Sequence, residues 1–147
     1  MGLARVLSVW VLCSVWALPA RAQQPKTFVA RLSTVPITVA MQDTVAGRGS
    51  ATAVLTGNKL TVEGTFDGLR SPATNARIHL GPRAVRGPVV LELTVSKRVA
   101  GTISGSFELT PRQLEALEKE TLYIQLHSER APDGNLWGWL LLREATK

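Results

Sequence analysis

The chain has 147 residues, 45% of them hydrophobic, with 17 Lys and Arg against 11 Asp and Glu and a net charge of +6. That length suits one domain behind a short leader, and so mild and dispersed a positive excess, with 5% aromatic residues, excludes a nucleic-acid reader. A lone cysteine, Cys13, excludes a disulfide framework and cysteine-built metal sites.

Residues 1–22 read as a secretory signal peptide. Arg5 supplies the positive start, residues 6–18 are an apolar run shorter than the ~20 residues of a membrane-spanning helix, and Ala20-Arg21-Ala22 is a small-residue cleavage site. Leu12, directly before Cys13, argues against a lipid anchor. Cleavage before Gln23 would leave 125 residues without a thiol and, by removing Arg5 and Arg21, lower the net charge to +4. The expected product is exported, periplasmic or secreted, with no transmembrane segment once the signal is gone.

Residues 23–27 read as a loose leader, and residues 28–143 as a single all-β domain. Short alternating segments separated by Gly, Pro, Asn and Asp predict an antiparallel β-sandwich of about seven to nine strands. Residues 27–34 alternate, residues 35–46 are irregular and suit a crossing between sheets, and residues 49–56 and 59–67 flank the hairpin turn Gly57-Asn58. Further strands are expected over 74–80, 88–96, 102–109, 121–127 and 136–143, the last two joined through Pro132-Asp133-Gly134-Asn135. One short helix is expected near 111–119. Thr110 is its N-cap, Pro111 its first residue and Gln113 the third position of a capping box, with Leu114 and Leu117 facing the sheet.

His79 and His127, the two histidines of the chain, fall on the polar parity of their strands, opposite Ile78 and Leu126. Both rings are therefore expected to look outward. Imidazole is the commonest metal ligand, so one reading is a copper or zinc site; the other is two solvated rings bonded to Glu129 or Asp133. Arg77 places a cation beside His79 and disfavours a divalent ion. Trp137 and Trp139 share a face of the last strand, an aromatic platform if exposed and ordinary core if buried. With Arg77, Arg83 and Arg86 they are the candidate contacts to a protein or glycan partner. No complete catalytic set emerges: Gly101-Thr102-Ile103-Ser104-Gly105 lacks the spacing of a nucleophile elbow, and Glu63, Asp67, Glu92 and Glu108 lie on polar strand faces without an acid/base pairing.

Several segments resemble, in order and spacing, those of the CHRD domain, named from chordin. They are Phe28-Val29-Ala30-Arg31-Leu32, Gly47 to Leu55, Ala76-Arg77-Ile78-His79-Leu80-Gly81, Gly87-Pro88-Val89-Val90, and the stretch from Leu109 through Leu122-Tyr123-Ile124-Gln125-Leu126-His127 to Trp139. Arg77 stands where that family usually has the first His of His-x-His, and Trp137 and Trp139 replace its Arg and Gln. The resemblance implies an exported antiparallel β-sandwich acting as a non-enzymatic binding or structural module, with no cofactor. A strand carrying a histidine and a later strand ending in one is also similar to copper/zinc superoxide dismutase, and this implies the alternative: an extracytoplasmic copper- or zinc-binding protein with an outer-face site on His79 and His127.

Overall fold

A computed structural model describes residues 23–144; the expected signal peptide, residues 1–22, lies outside them. Among the described residues nine strands, all paired antiparallel, run in chain order as β1 (Lys26–Thr34), β2 (Arg48–Thr56), β3 (Lys59–Asp67), β4 (Ala73–Leu80), β5 (Val89–Val95), β6 (Gly101–Glu108), β7 (Leu122–Ser128), β8 (Ala131–Trp139) and β9 (Leu141–Leu142). A 3₁₀ turn (Val39–Met41) and the helix α1 (Pro111–Glu118) complete the elements. The all-β antiparallel expectation holds, and among the described residues the single short helix is in the expected place.

Two sheets face each other. One runs β9, β1, β2, β3, β6; the other runs β4, β7, β8 with most of β5. Two strands belong to both. β1 pairs with β2 over Lys26 to Leu32 and with β8 at Ser33 and Thr34, while β5 leaves β4 at Leu93 and joins β6 at Thr94 and Val95. These shared corners close the sandwich into a flattened barrel, which leaves few open sheet edges. Gly138 sits at the β1 corner, where any Cβ would stand 2.3 Å from the Arg31 carbonyl oxygen.

Alternation builds the interior. Phe28, Leu32, Leu60, Val62, Ile78, Ile103, Ile124, Leu126 and Leu136 each take the inward parity of their strand and are almost fully buried. Helix α1 adds Ala116 and Leu117 to this core. Its capping box is formed as the sequence predicts: Gln113 N–H donates to the Thr110 hydroxyl, and Thr110 N–H donates to the Gln113 side chain. Among the described residues no helix is long and apolar enough to cross a membrane.

Three boundaries differ from the sequence reading: β1 begins at Lys26, which pairs with Leu55, so Lys26 and Thr27 belong to the strand and not to a loose leader. The turn between β7 and β8 is Glu129-Arg130, because Ser128 already pairs with Ala131. Pro132-Asp133-Gly134-Asn135 lies inside β8 as a bulge, with Gly134 at φ +130°, and the β7–β8 register shifts across it. The last expected strand is also divided. Leu140, fully buried, ends the pairing with β7, and Leu141–Leu142 crosses to β1.

Candidate functional site

The second sheet has an outer face as well as a core face. There β4 contributes Asn75, Arg77 and His79, β7 contributes Tyr123, Gln125 and His127, and β8 contributes Trp137 and Trp139. Such a face is commonly solvated in an antiparallel sheet. Here three irregular segments cover it.

The first cover is the irregular stretch that carries the 3₁₀ turn. Val35 N–H donates to the Asn135 carbonyl, Ala46 N–H to the Asn135 side-chain oxygen, and Val35 and Val45 pack with Tyr123, Ala131 and Trp137 in a second apolar cluster. The second is the loop 81–88. Gly81 N–H donates to the Thr121 carbonyl, Trp139 Nε1–H donates to the Gly81 carbonyl at 2.9 Å, and Gly87 N–H donates to the Tyr123 hydroxyl at 2.9 Å. Gly87 is required there, because an added Cβ would fall 1.7 Å from the Leu80 carbonyl oxygen. The third is the β8 bulge, whose turned-out carbonyls receive Gln125 Nε2 and Arg86 at Asp133 and His127 at Pro132.

Beneath these covers the aromatic rings form a continuous run. Tyr123 lies between His79, stacked at 5.1 Å, and Trp139, stacked at 4.7 Å, and Trp137 meets both Tyr123 and Trp139 edge-on. The His79 and His127 ring centroids are 6.4 Å apart. Both histidines point to the outer side of the sheet as expected. Neither is solvated: His79 is 8% and His127 7% exposed, because the covers close over them. Their partners are backbone carbonyls rather than Glu129 or Asp133 carboxylates. His79 Nδ1 lies 2.9 Å from the Gly87 oxygen, and His127 Nδ1 2.7 Å from the Pro132 oxygen.

A carbonyl oxygen only accepts, so each Nδ1 is the protonated nitrogen of its ring and Nε2 of the neutral ring carries a bare lone pair. Both Nε2 atoms are buried with no hydrogen-bond partner among the described residues, as is Asn75 Oδ1, whose residue pairs with His127 across the strands. Burial, the largest influence, holds the His127 imidazole below its ordinary pKa. The Pro132 carbonyl opposes that shift, while Arg77, His79 and Arg86 reinforce it.

The expected partner residues divide. Trp137, 8% exposed, belongs to the outer cluster rather than to an open platform, and Trp139 is half-buried. Their remaining accessible edges, with Arg31 and Arg83, line a cleft of about 170 Å³. Arg83 also reaches Glu120 at 3.6 Å, Arg77 pairs with Glu92 at 3.0 Å, and Arg86 is engaged by the bulge. A wider concavity, about 520 Å³, lies elsewhere, on the outer face of the first sheet among Ser50, Thr52, Thr65 and Ser104. It is an open trough without aromatic or histidine side chains.

Sequence reasoning passed over Asn75, Tyr123 and Gln125. Their signal was present, since each shares the parity of a histidine on its own strand. The family model for the CHRD domain matches residues 28–140 of the chain. No curated protein and no solved structure matches it.

Proposed function

Since the chain belongs to the CHRD domain family, we propose that it is an exported, non-enzymatic binding or structural module whose contact surface is the rim of the covered face. The observation that carries this reading is the cleft of Arg31, Arg83, Trp137 and Trp139. Indole edges give an apolar floor, and guanidinium groups supply planar donors to a carboxylate. That combination suits an acidic protein segment or a uronic-acid glycan. The histidines do not serve as accessible general bases here. Their Nδ1 atoms are held by carbonyls, and their Nε2 atoms are out of solvent's reach.

Export is supported by the composition of residues 1–22, and N-terminal sequencing of the processed protein should begin at Gln23. The binding reading is tested by titrating the protein with oligogalacturonate and with the neutral oligogalactose. The acidic ligand should bind at least tenfold more tightly, and the pair Arg31→Ala and Arg83→Ala should erase that difference. Equal affinity for the two sugars, or an indifferent double variant, would count against it.

A second reading, an extracytoplasmic copper- or zinc-binding protein built on His79 and His127, is favoured by one observation, the two buried and unpartnered Nε2 atoms.

A further inference from the structure

We propose that His79 and His127 form a two-coordinate site for a soft monovalent cation, copper(I), beneath the loop cover of the second sheet. This inference rests on the metal-binding reading of the same two residues and fixes the charge and coordination of the ion.

Lone-pair availability comes first. A buried acceptor without a donor is unusual in a folded protein, and here two imidazole acceptors are buried on rings whose centroids lie 6.4 Å apart. Each ring is already oriented by a hydrogen bond from Nδ1 to a backbone carbonyl, the arrangement that fixes the tautomer of a metal-ligating histidine and leaves Nε2 free for the ion. The carbonyls belong to the loop 81–88 and the β8 bulge, so the segments that close the face also set the ligands.

Spacing narrows the geometry. With metal–nitrogen bonds of about 2.0 Å and about 1.1 Å from nitrogen to ring centre, two imidazoles in line on one ion have centroids about 6.2 Å apart, whereas a tetrahedral angle brings them to about 5 Å. The observed 6.4 Å lies at the linear end. Linear two-coordination is a habit of closed-shell copper(I) and is foreign to zinc, whose sites want three or four protein ligands.

Charge narrows the ion. The described residues hold no group of three or more His, Cys, Asp or Glu side chains suited to a metal. No carboxylate is therefore grouped with the two rings to offset a divalent charge, and Arg86 and the Glu92-paired Arg77 both act electrostatically on His127. Repulsion from fixed cations doubles between a monovalent and a divalent ion. Asn75 Oδ1, uncharged and unpartnered, is the further donor on this face. A singly charged ion that is satisfied by two neutral nitrogens fits these constraints.

The test uses the full chain carrying Cys13→Ser, so that the one thiol does not compete. Anaerobic titrations with copper(I), with silver(I) as its redox-inert counterpart, and with zinc(II) are compared. One equivalent of copper(I) and of silver(I) should bind, at least a hundredfold more weakly in His79→Gln and in His127→Gln. X-ray absorption of the copper-loaded protein should show two nitrogen neighbours in line. Because a variant can lose its fold, the parent protein supplies an independent readout: silver(I) should shift both Nε2 nitrogen resonances and leave both Nδ1 protons in place. Stoichiometric zinc(II) or copper(II) binding at these histidines, with weaker copper(I) binding, would overturn the monovalent site and leave the metal reading standing. No stoichiometric binding of any ion, or binding indifferent to both substitutions, would overturn both.

Discussion

The two faces of the second sheet are made by the same strands, the inner fully buried and the outer largely so, yet they are built from different chemistry. On the inner face Ile78, Ile124, Leu126 and Leu136 bring only hydrocarbon to the core. On the outer face His79, Tyr123, Gln125 and His127 bring polar atoms, which loop carbonyls, amides and ring stacking must accommodate one by one. The inner face contributes stability through buried apolar area. The outer face retains buried acceptors that lack donors, and each of these opposes folding. A fold keeps such groups where specificity or binding requires them, and this contrast is what supports the outer face as the place of the proposed sites.

That contrast can be broken by experiment. The largest effect is expected inside: Leu126→Ala should cost about 2–5 kcal/mol in denaturant unfolding, because a fully buried side chain leaves a cavity between closed sheets. A cost below about 1 kcal/mol would deny that the inner face is the main source of stability. Next comes the cover. Gly87→Ala forces a Cβ against the Leu80 carbonyl and should cost about 1–3 kcal/mol, with near-ultraviolet dichroism from Tyr123 and Trp139 reduced and the β-sheet signal kept. An unchanged aromatic signal would detach the loop from the ring stack. The smallest effect is one of pH. Burial lowers the folded-state pKa of His127, so below about 6.5 the unfolded chain takes up a proton that the folded protein resists. Stability present above that pH should fall as acid is added, levelling off once the folded ring is protonated. His127→Gln should remove this component from the unfolding free energy measured between neutral pH and 5. A profile identical to that of the parent would place the ring in solvent.

Much of the architecture was legible because it is local. The Gly57-Asn58 hairpin, the capped helix after Thr110 and the outward parity of His79 and His127 follow from turn chemistry and a period of two. What covers the outer face was not legible. Alternation in Leu122 to His127 distinguishes two sides of a strand, but a polar side under loops and a polar side under water have the same pattern. The covering contacts join residues far apart in the chain, such as Ala46 with Asn135 and Gly81 with Trp139. Pro132 to Asn135 has the composition of a turn, and its backbone does turn outward, yet as a bulge whose carbonyls hold His127 and Gln125. Composition indicated the bend there, and tertiary pairing decided its place.

Two imidazole nitrogens decide the metal reading, and long-range proton–nitrogen spectroscopy of the rings in the metal-free protein at neutral pH reads them directly. His79 and His127 should both carry their proton on Nδ1, slow to exchange, with Nε2 bare. A proton on Nε2 of either ring, or ring protons exchanging freely with water, would contradict that reading.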